Sequence, residues 1–157
     1  MIIWGISANS HDAALAVFNN DELVFASHSE RYSRIKNDAH LNKEIINEAW
    51  KYGTPNAIQW YENPYKKTLR QVWAGQGWKY NENNIINYLR HYNICTPISF
   101  TNHHHSHAAA GYYTSSFSEA CVIVIDSIGE FDTFSIWQGN GKRLKKVYSQ
   151  KYPHSIG

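Results

Sequence analysis

Apolar and polar positions change period several times along this chain, and each change marks an element. Ile2 to Ser7, Ala13 to Phe18 and Leu23 to Ser27 are short apolar-rich runs. The polar turns Ala8 to Asp12 and Asn19-Asn20-Asp21 separate them, so three strands with tight connections are predicted. Leu41, Ile45, Ile46, Ala49 and Trp50 then recur at helical spacing, closed by Gly53 and Pro55. A strand is expected over Ala57 to Tyr61. A helix is expected from Pro64, with Leu69, Val72 and Trp73 along one side. After an exposed loop at Ala74 to Lys79 come a helix marked by Ile85, Ile86 and Leu89 and a strand at Ile98 to Thr101. Cys121 to Ile125 is apolar without polar alternation, the pattern of a buried strand, and it ends in Asp126. Strands alternating with helices predict an α/β protein.

The pattern repeats on a shift of about 120 positions. Ile2 to Ser7 overlies Val122 to Ser127, His11 to Val17 overlies Phe131 to Trp137, and Asn19-Asn20-Asp21 overlies Gly139-Asn140-Gly141. Few residues are identical. What recurs is strand, polar loop, strand, turn, strand. Two such units flanking helices imply a duplicated architecture with two facing sheets. Asp126 then falls at the mouth of the cleft, where open α/β sheets bind ligands.

Between the two halves lies the densest chemistry. Four of the nine histidines fall within five residues, in Asn102-His103-His104-His105-Ser106-His107-Ala108-Ala109. Asn102 is a favourable N-cap, and the alanines favour helix. On that helix His103 and His107 share a face, a half-built metal site that Asp126 could complete with an oxygen. A solvated helix start without a ligand is the alternative reading of the histidines alone.

The chain has 157 residues and a net charge of +2 with histidines neutral, which leaves no nucleic-acid footprint. Cys95 and Cys121 form no paired motif and are expected as reduced thiols, Cys121 packed within its strand. The first residues lack a basic segment and cleavage site, and no apolar run could cross a bilayer. A soluble, cytoplasmic protein of one domain or two small subdomains is expected.

Four segments in order carry a resemblance. They are Gly5-Ile6-Ser7 with His11-Asp12, Glu30-Arg31-Tyr32-Ser33-Arg34-Ile35-Lys36, the histidine segment, and Ile125-Asp126-Ser127-Ile128-Gly129-Glu130. Together with the closing Pro153-His154-Ser155-Ile156-Gly157, the chain resembles the N-terminal part of the O-carbamoyltransferases of the nodulation-factor and antibiotic-tailoring type. These are relatives of the tRNA threonylcarbamoyl-transferase and the hydrogenase-maturation carbamoyltransferase. The resemblance implies the actin/sugar-kinase/Hsp70 superfamily. The fold would be a partial actin-like, ribonuclease-H-like split fold, with a first subdomain over 1–119 and the first meander of a second over 120–157.

The implied reaction uses carbamoyl phosphate and ATP. Carbamoyl adenylate forms, and the carbamoyl group then passes to a hydroxyl of a small acceptor. The resemblance assigns His103, His107 and Asp126 to a divalent metal, iron(II) with zinc or manganese as alternatives. It offers His104 as an orienting neighbour and leaves His105 without a role. His11 corresponds to a general base and Asp12 to its orienting carboxylate. Lys36 would stabilise carbamoyl or phosphate oxygens. Arg34 would contact phosphate with Ser127 and Gly129, and Arg31 is assigned to structure. Ser127 departs from the glycine the family carries after its ligand aspartate.

Full-length members are several times longer, so the chain is expected to lack turnover alone. It would act with the C-terminal remainder or a second chain, or as a homodimer exposing apolar surface. Two other classes compete: a non-enzymatic metal- or nucleotide-binding remnant, and an interaction domain built on Trp60, Tyr61, Tyr65, Trp73, Trp78 and Tyr80.

Overall fold

The computed structural model describes Met1 to Ile156. In chain order its elements are β1 (Ile2–Ser7), β2 (Ala14–Asn19), β3 (Glu22–His28), α1 (Glu30–Ser33), α2 (Lys43–Trp50), β4 (Ala57–Trp60), α3 (Pro64–Trp73), α4 (Ile85–Arg90), β5 (Ile98–Phe100), α5 (His103–Tyr113), β6 (Glu119–Gly129), β7 (Asp132–Asn140) and β8 (Arg143–Lys151). The chain is mixed α/β. It divides into two compact units, Met1–Tyr61 with Tyr80–Phe100, and Glu62–Lys79 with Thr101 onward. These divisions fall at positions other than 119, because α3 and α5 group with the last three strands.

The first unit is a five-stranded sheet in the order β3-β2-β1-β4-β5. β1 to β3 form an antiparallel meander, and β4 and β5 add in parallel. Register explains the core. Trp4 lies opposite Val17 and Ile58, and Ile6 opposite Leu15 and Trp60, so all six side chains share one face. Ile45, Ile46 and Ala49 of α2 and Ile85 and Leu89 of α4 bury themselves in the same cluster. Asn42 starts α2 by accepting a hydrogen bond from the Ile45 N–H at 2.9 Å.

The second unit is the antiparallel sheet β6-β7-β8 with α5 packed on β6 and β7. Its core is small: Ala108, Val124 and Trp137, flanked by Val122 and Leu144. Two expectations are corrected here. β6 is not a buried strand, since Val122 and Val124 face the core while Cys121, Ile123 and Ile125 are exposed. A single helix layer covers one face only, so the apolar run has a dry side and a wet side. In α3 the buried positions are Pro64, Thr68 and Gln71, whereas Leu69, Val72 and Trp73 lie outside. Thr68 is accommodated because its hydroxyl donates to the Pro64 carbonyl at 2.9 Å.

The internal repeat extends to backbone conformation. Asp12 (φ 53°) stands two residues before β2, and Glu130 (φ 55°) two residues before β7. The hairpin turns carry Asn20 (φ 55°) and Gly141 (φ 56°). The outer pairing is bulged once in the first meander, at Val17/Phe18, and shifts twice in the second, at Asp132/Phe134 and at Ile136/Trp137. Among the described residues no helix is long and apolar enough to cross a membrane.

Candidate functional site

Positions 104, 108 and 112 of α5 face the sheet as His104, Ala108 and Tyr112. That burial turns the neighbouring face, with His103 and His107, toward the end of β6. Nε2 of His103 lies 2.9 Å from Oδ2 of Asp126 and 3.0 Å from Nε2 of His107. One donor atom from each residue falls within 4.8 Å of the others. Two imidazole nitrogens and one carboxylate oxygen form a donor set that suits iron(II), zinc or manganese. His107 is exposed, so the cluster is open to solvent on one side.

Burial, then the charge of His107, holds His103 below the ordinary imidazole range, although Asp126 and Glu62 pull the other way. The neutral ring this favours is the form that ligates. Behind it, Nδ1 of His103 lies 3.8 Å from Glu62, whose other oxygen accepts from Lys67 at 2.6 Å. Such outer partners set a ligand's tautomer and orientation.

The start of α5 departs from expectation. The Asn102 side chain makes no capping bond and instead accepts from Lys66 Nζ at 2.6 Å. The capping oxygen belongs to Glu130, which accepts from the His103 N–H at 3.4 Å and from the Asn63 N–H at 2.5 Å. Asn63 in turn caps α3. One buried carboxylate therefore serves two helix starts, where negative charge is favoured.

His104 is fully buried, with Nδ1 2.7 Å from the Ser135 hydroxyl. That hydroxyl accepts from Trp137 Nε1 at 2.8 Å, so its own proton is free for His104. His105 stacks on Trp137 with ring centroids 5.0 Å apart. Gly129 packs against the histidines: a Cβ there would meet Cδ2 of His103 at 2.3 Å and Cδ2 of His104 at 2.9 Å. Ser127 is exposed, and its carbonyl, like that of Asp126, accepts from the Ser155 hydroxyl.

The remaining expected residues lie in the first unit. His11 Nδ1 is 3.0 Å from Asp12 Oδ2, and the histidine is exposed. Asp12, Arg34 and Lys36 line one pocket of about 470 Å³ together with His28, Glu30 and Arg31.

Residues 60–157 match the model of the carbamoyltransferase N-terminus. The chain belongs to the carbamoyltransferase family, at its N-terminal part. It is also 31% identical, over an alignment of 184 positions, to the uncharacterized protein sll1178 of Synechocystis sp.. That alignment covers 99% of this chain and 30% of the relative, so the chain spans less than a third of that protein's length. In this carbamoyltransferase segment, Glu62, Glu130, Ser135 and Ser155 support the site without having been singled out in the sequence. Only Glu130 and Ser155 stood within a recognised motif. The others carry no local signal, because their roles arise from contacts distant in sequence.

Proposed function

We propose that this chain is the metal-holding N-terminal segment of an ATP-dependent O-carbamoyltransferase. It would move a carbamoyl group from carbamoyl phosphate, by way of carbamoyl adenylate, to a hydroxyl of a small acceptor. The observation that carries the reading is the convergence of His103, His107 and Asp126 within a segment matching the carbamoyltransferase N-terminus. The left-handed turns recurring in the two meanders support a duplicated, actin-like split fold; a superfamily boundary at 119/120 is our reading of the repeat, beside the two compact units.

On this reading His103, His107 and Asp126 would hold iron(II), with zinc or manganese as substitutes, and the ion would supply charge neutralisation. His103 enters as a neutral ring, with Glu62 3.8 Å behind its Nδ1. His11 is the general base. Its Nδ1–H donates to Asp12, which leaves Nε2 to take the proton of the acceptor hydroxyl. The acceptor oxygen attacks the carbamoyl carbon, the bond from that carbon to the phosphoryl oxygen breaks, and AMP leaves. Lys36 and Arg34 steady the oxygens that carry charge. Gly129 keeps the histidine rings in place, and Ser127 is available beside Asp126. The segment works with the rest of a longer polypeptide or with a second chain, in the cytoplasm, without membrane or nucleic acid.

The test is anaerobic titration of iron(II), zinc and manganese into the full chain, with ATP- and carbamoyl-phosphate-dependent AMP release measured in parallel. The expected result is saturable metal binding that His107→Ala abolishes, without turnover by this segment alone. Metal affinity no higher than that of a His103→Ala, His107→Ala double variant would overturn the reading. It would favour an interaction domain, for which the outer face of α3 with exposed Tyr65, Leu69 and Trp73 is the specific feature.

A further inference from the structure

Helix α3 is inside out. Its buried positions are Pro64, Thr68 and Gln71, and its outward face carries Tyr65, Leu69, Val72 and Trp73. These four stand at i, i+4, i+7 and i+8, one continuous apolar stripe, each between 41% and 61% exposed. Trp73 carries the stripe onward, its ring centroid 5.2 Å from that of Tyr152 and 6.5 Å from that of Phe131. An amphipathic helix ordinarily turns its apolar side to the core. Here polar partners pin the other side inward. Asn63, which caps α3, donates its N–H to Glu130 at 2.5 Å, and Lys67 pairs with Glu62 at 2.6 Å. Large apolar side chains held in water on a helix anchored in this way mark an interaction face.

Charge is a second, independent observation. Within α3 stand Lys66, Lys67 and Arg70 and no carboxylate. Lys67 is matched by Glu62. Lys66 donates to the Asn102 amide oxygen at 2.6 Å and Arg70 to that of Gln76 at 3.3 Å, both neutral groups. Neither cation forms an ion pair among the described residues. Each follows a stripe residue by one position, Tyr65 and Leu69, so the two form a cationic row along one flank of the stripe.

We propose that the outer face of α3 docks an acidic amphipathic helix, one whose apolar stripe is flanked by Asp or Glu. Ridges of such a helix fit the grooves between Tyr65, Leu69 and Trp73, and its carboxylates meet Lys66 and Arg70. A second copy of this chain fits less well, because antiparallel contact about a twofold axis would set the cationic row against itself. The occupant is a helix of the polypeptide that completes this segment. The aligned part of sll1178 is only 30% of that protein, so the relative has ample sequence to supply one. Assigning the helix to that polypeptide rests on the carbamoyltransferase reading, whereas the docking itself needs no metal and no turnover. Glu130 holds the starts of α3 and α5 together, so the docked helix would also brace the segment that carries His103.

The test is fluorescence anisotropy of labelled peptides titrated with the full chain, chelator present. The probe is a designed helix with leucines at helical spacing flanked by glutamates. One control replaces the glutamates with lysines, the other replaces the leucines with serines. Saturable binding of the probe is expected, about tenfold or more tighter than that of either control. A Leu69→Ser, Trp73→Ser double variant should weaken it by about tenfold or more, and Arg70→Gln should narrow the preference for glutamate over lysine. His107→Ala should bind the probe as the parent does, which separates this result from failure of the metal reading. The part of sll1178 outside the alignment, expressed separately, should displace the probe, and no displacement would overturn the assignment of the occupant. Absence of saturable binding, or equal affinity for the glutamate and lysine peptides, would overturn the proposal. So would undiminished binding by the double variant with unchanged circular dichroism. Self-association that the double variant abolishes, without probe binding, would make a second copy the occupant and overturn it as well. Amide shifts along α3 on adding the probe to the unmodified chain provide a readout free of substitutions, and shifts confined to other elements would place the contact elsewhere and overturn it.

Discussion

A Cβ on residue 129 would stand 2.3 Å from Cδ2 of His103, well inside the closest approach of two carbons. The ring reaches Asp126 because position 129 carries no side chain. No left-handed backbone is involved at Gly129, so alanine is excluded there by contact alone. Gly129→Ala should therefore push the His103 ring out of line. Divalent-metal affinity should fall by about 10- to 100-fold, the range typical of lost outer support. Metal titration against the unmodified chain, with circular dichroism to verify the fold, measures this. Equal affinity would mean the rings step aside freely. His103, His107 and Asp126 were legible in the sequence because a helical period of four and a strand ending in an acid are local patterns. The steric role of Gly129 was not legible, since it exists only once β6 returns beside α5. The resemblance pointed that glycine toward phosphate, and the contact it makes here is with imidazole.

At the scale of elements, the existence of β1, α2, α3 and α5 followed from period, and the starts of α3 and α5 from Pro64 and Asn102, although Asn102 makes no capping bond. The faces those elements bury followed less well. Thr68 and Gln71 turn inward on α3, and β6 is half exposed, because what lies against a face is decided by tertiary packing rather than by the local run. The start of α5 gives a sharper test. Burial raises the Glu130 carboxyl above its ordinary 4.5, while the N–H bonds from Asn63 and His103 pull it down. A raised folded value means that this group's stabilising contribution is complete below pH 4.5 and is lost as pH rises through the folded value. Glu130→Gln keeps an accepting oxygen without the charge, so its stability should decline less over that rise than the parent's. Glu130→Ala leaves the Asn63 N–H without its acceptor and should cost about 1–3 kcal/mol. Denaturant unfolding at a series of pH values distinguishes the two variants. Equal pH slopes for Glu130→Gln and the parent would show that folding leaves the Glu130 pKa unshifted.

Across the whole chain the two meanders match in the left-handed conformation of their turns, yet their neighbours differ. β1 is hydrogen-bonded on both sides, antiparallel to β2 and parallel to β4. β6, its counterpart, pairs only with β7 among the described residues. Its exposed face carries Ile123 and Ile125, and an unpaired apolar edge of this length invites association. The chain is expected to self-associate with concentration in light scattering, and Ile123→Lys or Ile125→Lys should reduce this. Association unchanged by both substitutions would place the contact elsewhere. The free edge also has a direction. Two copies related by a twofold axis would join β6 to β6 antiparallel, whereas the counterpart edge on β1 holds a parallel strand. Along β6 every second N–H points away from β7, so amide exchange should alternate fast and slow from Val122 to Ile125. Filling the edge would even out that alternation.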